Sequence, residues 1–202
     1  AQSRAIEEQL VVDVQGQADI LVAGISDAEC YSKFSQINPI LVANSAMATT
    51  VMQFQGMPLV RKGGIAILTH PFEEKFDERR FAPYIEFYER LLAQERDAYW
   101  LWENYAEDFA HRPEYVYGYR HAHAYHGSHP FFMWNSTAIP RRYLSKVYFA
   151  GVKDSEVAER CRFEAFETVE SAIEASEAEL GGTPSIALLQ RLPWFIPRVW
   201  GD

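Results

Sequence analysis

Residues 121–130 read HAHAYHGSHP and carry four of the chain's six histidines, His121, His123, His126 and His129. Imidazole titrates near neutrality and ligates metals, so this run could bind a metal, move protons or pack. A zinc site needs three or four ligands converging at about 2 Å, and the HExxH spacing that brings two histidines onto one helical face is absent. Two backbone geometries are open. On a strand, the odd-numbered Tyr115, Tyr117, Tyr119, His121, His123 and Tyr125 share a face. On a helix running from Pro113 to Gly127, His123 and His126 meet three residues apart, and the bracketing Pro and Gly favour this reading. His129, followed by Pro130, then precedes a further helix, PFFMWNSTAI. The expectation is a cluster packed among aromatic rings with no metal, in which His126 and His129 remain polar groups facing a cleft.

The elements that must position such groups follow from local patterning. QLVVDV (9–14), ADILVAGIS (18–26), IAILTH (65–70), SKVYFAGV (145–152) and SIALLQ (185–190) are short β-rich apolar runs. IAILTH follows a Gly-Gly turn and is closed by Pro71, and SIALLQ reads as the last strand. Asn38 caps a helix that has Pro39 at its first position and ends at Gly56. Residues 72–140 read as a helical insertion, and TVESAIEASEAELGG as a helix with a glycine stop. This order predicts an α/β domain spanning 1–202, with a mainly parallel sheet, flanking helices and that long helical insertion.

Ligands in such sheets gather outside the carboxyl ends of the strands. That rule selects Ser26, Asp27, Glu29 and Tyr31 after the second run, Asn38 at the helix start, His70 after IAILTH, and Lys153 and Asp154 after SKVYFAGV. Asp27 and Glu29 could act as an acid and base pair, although two solvated loop charges explain them as well. Cys30 shares their loop but has no histidine beside it to activate a thiol. Asn38 has two roles open to it: a cap, and the start of a set of free amides suited to an anion.

Composition narrows the partners. The chain has 202 residues, 48% of them apolar and 14% aromatic, enough to bury a real core. Its net charge of −9 and lack of a basic run argue against nucleic acid or an anionic membrane. No apolar run approaches the roughly 20 residues of a membrane span, and AQSRAIEEQL does not read as a signal peptide. Cys30 and Cys161, the only cysteines, read as free thiols in a cytoplasmic protein, and the sequon at Asn135-Ser136-Thr137 is discounted for the same reason. A start without Met suggests a piece of a longer protein. GxGxxG, GxxxxGK[ST] and GxSxG are all absent, which removes support for a dinucleotide fold, a P-loop and a hydrolase elbow.

With these segments in place, ADILVAGIS, NPILVANSAM, PLVRKGGIAILTHPFEEKFD, PYIEFYERLL, KVYFAGVKD and TVESAIEAS together resemble the C-terminal domain of the nickel-dependent lactate racemase family. The resemblance implies two α/β domains with an active site between them. It also implies a nickel-pincer nucleotide, made from nicotinic acid mononucleotide, that shuttles a hydride from the α-carbon of a 2-hydroxy acid. The family's metal-binding and catalytic histidines lie in an N-terminal domain to which nothing in this chain corresponds. The implied partners are therefore that missing domain and a small anionic substrate, with a homo-oligomer compatible, and this chain alone should hold no cofactor tightly and lack activity. The family's run Asn-Leu-Tyr-Gln-Ala-x-Lys falls on Asn38 to Asn44. Asn38 matches, whereas Ile40, Leu41 and Asn44 replace the Tyr, Gln and Lys, and the lost cation puts lactate itself in doubt. Ser26, Tyr31, Asn38, Asn44, His70, His126 and His129 are the expected cleft residues, in positioning roles. A non-catalytic module binding a small anion or a partner is the alternative, motivated by that lost run and by the aromatic tail with Trp194, Phe195, Ile196 and Trp200. A methyltransferase-like domain, suggested by RKGGIAILTHP, lacks the Gly-rich cofactor loop.

Overall fold

Two apolar runs, β2 (Ala18–Gly24) and β3 (Val60–Thr69), pair in parallel at the centre of the molecule. The computed structural model describes residues 8–26, 37–52, 57–190 and 195–201. β4 (Lys146–Ala150) lies beside β3, β5 (Glu164–Phe166) beside β4, and β6 (Ile186–Leu189) on the far side of β2. All four pairings of this five-stranded sheet are parallel, as the alternating order of strands and helices predicts. β5 is a strand that three residues of mixed polarity do not announce.

Both faces of the sheet are covered over β2, β3 and β4, which is why these strands read as continuous apolar runs, whereas edge strand β6 leaves Ile186 and Leu188 exposed. Ile20, Val22, Ile65, Ile67, Tyr148 and Ala150 form one face, packed with Ala172. That residue belongs to α8 (Val169–Leu180), which crosses β3, β4 and β5 and starts with a capping box made by Thr168 and Ser171. Leu21, Ala23, Ala66, Leu68, Val147 and Phe149 form the other face. It is covered by α1 (Pro39–Asn44), which continues as a π-helical turn over Ser45–Val51, and by the insertion.

The insertion consists of α2 (Ala82–Glu86) with a π-helical continuation over Phe87–Leu91, α3 (Ala98–His111), α4 (Pro113–His121), α5 (His129–Asn135) and α6 (Ala138–Tyr143). Phe87, Phe109, Phe131 and Trp134 join the same apolar cluster as the sheet. Edge-to-face contacts join Phe131 to Phe87, with centroids 4.7 Å apart, and to Phe109 at 5.0 Å. The insertion is thus built into the core. A short α7 (Ser155–Arg160), capped by Asp154, links β4 to β5.

Three expectations are corrected. Gly63 and Gly64 are not a turn before a strand; they lie inside β3, which starts at Val60. Gly63 has φ +76°, and a Cβ on Gly64 would stand 2.5 Å from the Asp19 carbonyl oxygen, so the strand bulges where only glycine permits the approach. SIALLQ is not the last strand: Ile196–Trp200 form β7, which pairs in parallel with β1 (Val11–Gln15) in a separate two-stranded sheet. The helix through the histidines ends at His121, not Gly127. Only Tyr115 of α4 is buried, so little packing extends it, and His123 takes a left-handed φ of +55°. Gly127 is required for another reason, since a Cβ there would fall 1.9 Å from the Phe109 carbonyl oxygen on α3. The expected helix stop at Gly56 and the tail residue Trp194 lie outside the described residues.

Candidate functional site

Four strands end on one line, because Gly24 is in register with Thr69, Thr69 with Ala150, and Ala150 with Phe166. One residue further on, backbone bonds continue the alignment: Ile25 N–H to the Thr69 carbonyl at 3.0 Å, His70 N–H to Ala150 at 3.3 Å, and Gly151 N–H to Phe166 at 3.0 Å. The carboxyl edge thus presents Ser26, His70 and the 151–154 turn side by side, where an open α/β sheet gathers ligands.

His70 is buried, with 7% of its surface exposed. Its Nδ1 accepts a hydrogen bond from the Phe72 N–H at 2.9 Å, and Phe72 itself has a left-handed φ of 50°. Nδ1 therefore serves a backbone N–H rather than a carbonyl. With the Nδ1 lone pair committed as an acceptor, Nε2 carries the ring hydrogen of the neutral tautomer. Ser26 is half-buried directly beyond β2.

Asn38 is fully buried at the start of α1. Its Oδ1 accepts from the Ile40 and Leu41 N–H groups at 3.0 and 3.1 Å, the cap that its position ahead of Pro39 predicts. Its Nδ2 is buried without a hydrogen-bond partner. A buried unpaired donor is costly, so a ligand acceptor offered there would be well received.

The other expected residues are placed differently. Asn44 donates from Nδ2 to Ser136 Oγ at 2.5 Å and ties α1 to the insertion. Ile40 and Leu41 are buried in the core, so the positions that bear Tyr and Gln in the resembled family are spent here on packing. His126 accepts at Nδ1 from the Ser128 hydroxyl at 2.8 Å and meets Tyr119 edge-on. His129 opens α5, its Nδ1 bonded to Tyr84 Oη, with the Tyr125 ring centroid 4.9 Å away. Burial, and then the neighbouring His126, push the His129 imidazole down to about 4, so it is neutral at physiological pH. His121 stands against Tyr117, as expected of a ring among tyrosines. Tyr31, with Asp27, Glu29 and Cys30, lies outside the described residues.

Two lysines share one carboxylate at this edge. Lys153 donates to Glu73 Oε1 at 3.0 Å, and Lys75 and Lys153 hold the Glu73 carboxyl below the usual range. Sequence patterning misses this pair, since Glu73 reads only as part of a charged link. Asp154 is used as the cap of α7, accepting from the Glu156 N–H at 3.0 Å. Cys161 is a free buried thiol that desolvation pushes up to about 12, which removes it as a nucleophile. Among the described residues, no three His, Cys, Asp or Glu side chains gather to hold a metal ion. Ser26, Asn38 and His70 are the described polar side chains of the edge, of types suited to hydrogen-bonding and orienting a ligand. No helix is long and apolar enough to cross a membrane among the described residues.

Neither a protein-family model nor a curated protein matches the sequence. Among solved structures, the chain is similar to the lactate racemase apoprotein from Thermoanaerobacterium thermosaccharolyticum, with a TM-score of 0.53 at 14% identity. The similarity covers 96% of this chain and 39% of that one, so the chain spans well under half the length of the protein it matches. The chain has a lactate-racemase-like α/β fold.

Proposed function

We propose that this chain is the C-terminal α/β domain of a lactate-racemase-like enzyme acting on a 2-hydroxy acid. The observation that carries the reading is the fold correspondence over 96% of the chain with a lactate racemase apoprotein more than twice its length. The described residues supply no metal-ligand set, so a nickel-pincer nucleotide, which would supply the hydride-accepting centre, would be held by ligands from an N-terminal domain. This chain's share is to complete the cleft: the unpartnered Asn38 Nδ2 donates to a substrate or cofactor oxygen, and His70 and Ser26 orient it. Because Ile40 and Leu41 are core residues and Asn44 is bound to Ser136, the substrate differs from lactate or binds its carboxylate from the other domain.

The test is to express the full-length parent, measure its nickel content and screen 2-hydroxy acids for exchange of the α-proton in deuterated water. Nickel together with exchange on one of them supports the assignment, and absence of both removes it. The same core placement of Ile40 and Leu41 favours a second reading, a non-catalytic module for a small anion or partner. A native mass spectrum of the full-length protein showing a stable, cofactor-free assembly would select that reading.

A further inference from the structure

Two adjoining hollows open away from the carboxyl edge. One, of about 320 Å³, lies where β4 and β5 begin, at the opposite end of the sheet from Ser26 and His70. The other, of about 220 Å³, lies between the start of α3 and the α5–α6 pair. Arg141 and Arg162 line both, and Arg96 and Arg142 line the second.

We propose that this groove binds a small phosphate-bearing anion through Arg96, Arg141, Arg142 and Arg162. In a chain of net charge −9, five arginines elsewhere have carboxylate partners, Arg61 with Asp19, Arg80 with Asp77, Arg90 with Glu86, Arg112 with Glu86 and Asp108, and Arg198 with Asp13, whereas Arg79, Arg120 and Arg160 are single arginines outside the groove with no ion pair among the described residues. None of the four arginines in the groove is ion-paired among the described residues. Four guanidinium groups gathered around one open space outnumber the carboxylates in its walls, Asp97 and Glu164, and leave room for a multivalent oxyanion.

Arg141 shows this most directly. Its Nε donates to Thr137 Oγ1 at 3.1 Å, and its two terminal nitrogens donate to the Arg162 carbonyl at 3.2 Å and the Cys161 carbonyl at 2.7 Å. These acceptors are neutral and take three of its five N–H groups. The guanidinium lies 4.8 Å from the Trp134 ring centroid and 4.5 Å from that of Phe163. It is a cation fixed in place by carbonyls and rings, and its charge is left for a ligand to neutralise. Burial pushes its pKa down to about 10, the direction expected of an uncompensated cation.

Two carboxylates line the walls, neither within ion-pair distance of the four arginines. Asp97 is the cap of α3, accepting from the Trp100 N–H at 2.8 Å, and Glu164 pairs with Lys146 at 3.1 Å. Arg142 lies over the Tyr99 ring at 5.1 Å, an exposed flat surface at the mouth of the groove. Arg162 holds a left-handed backbone with φ +61°, uncommon for a long side chain, and in that conformation its carbonyl accepts from Arg141.

The experiment uses the full-length protein at constant ionic strength. Inorganic phosphate and glycerol phosphate are titrated, with lactate as a carboxylate comparator, by calorimetry and by the NMR shift of the Trp134 indole Nε1–H, which donates to the Arg96 carbonyl at 3.1 Å. Saturable phosphate binding that moves this signal, weakened about tenfold or more by Arg142→Gln and by Arg162→Gln and unchanged by Arg79→Gln, is the expected result. Arg79 is an exposed arginine outside the groove and controls for net charge. Tighter binding of glycerol phosphate than of phosphate identifies a phosphate monoester; the reverse order identifies the free ion. No saturable binding, equal weakening by Arg79→Gln, or lactate binding as tightly as phosphate overturns the proposal. A thermal melt checks folding of each variant, and should Arg162→Gln unfold, Arg142→Gln decides alone. The inference is independent of the carboxyl edge, so the racemase reading and the phosphate site can fail separately.

Discussion

The two ends of the Asn38 amide are placed differently, because Oδ1 holds the helix and Nδ2 has no partner. Asn38→Ala should cost about 1 kcal/mol in urea denaturation through loss of the cap. Asn38→Ser, which keeps a capping oxygen, should retain most of that stability. If the amide serves a ligand, both variants should weaken substrate binding to a similar degree despite their different stabilities. His129 carries the pH-dependent expectation. Its imidazole titrates near 4 when folded and near the usual 6.5 when unfolded, so the unfolded chain takes up a proton that the folded chain refuses. Stability contributed by the neutral ring is full above about 6.5 and falls as the pH drops from there toward 4. Urea midpoints at pH 7.5 and pH 5 should differ in the parent and converge in His129→Gln. Asp19, held down to about 2 by its bonds to Ser185 and Arg61, loses its contribution only at more acid pH and leaves this window clear.

Glycines set the geometry of the elements at two points of close contact. Gly64→Ala would place a methyl 2.5 Å from the Asp19 carbonyl oxygen, and Gly127→Ala would place one 1.9 Å from the Phe109 carbonyl oxygen. Each should lower stability by about 1–3 kcal/mol or more, since in both cases backbone must move. Strand β7 also invites a direct test, because it is the partner of β1 in the two-stranded sheet. Ending the chain after Gln190 should speed amide exchange at Val11–Gln15 while leaving β2 and β3 protected, as read by hydrogen–deuterium exchange. The two π-helical turns sit where α1 and α2 meet the core, and Asn44, at the junction of the first, is tied to Ser136.

At the scale of the molecule, the two edges of the sheet differ in charge. Among the described residues the carboxyl edge presents Ser26, Asn38 and His70 beside a Glu73 shared by Lys75 and Lys153, whereas the groove at the other end holds four arginines with no ion pair. On the proposed reading, the carboxyl edge of this unit orients a ligand while the hydride-accepting centre is held by another domain. The 202-residue chain alone should therefore show no α-proton exchange on any 2-hydroxy acid, and the full-length parent should. Activity in the isolated chain would contradict the division of labour proposed here.

Local chemistry carries far in this sequence. Asn38 before Pro39, the capping box at Thr168, and runs apolar on both sides such as ILVA and IAIL specify helix starts and buried strands by interactions within a few residues. Their order then requires parallel pairing. The tertiary structure decided the rest. It set β6 beside β2 and β7 beside β1, and it showed that Gly63, Gly64 and Gly127 answer to backbone carbonyls distant in sequence rather than to local turns or stops. It turned Asn44 toward Ser136 and shut His129 among tyrosines. It also gathered Arg96, Arg141, Arg142 and Arg162, scattered over 67 positions of sequence, around one groove. Caps and periodicity act through bonds the local chain makes with itself, and so they are readable in order along it. Side-chain direction, close approach and the sharing of charge depend on which distant segments meet, and only the folded chain fixes that.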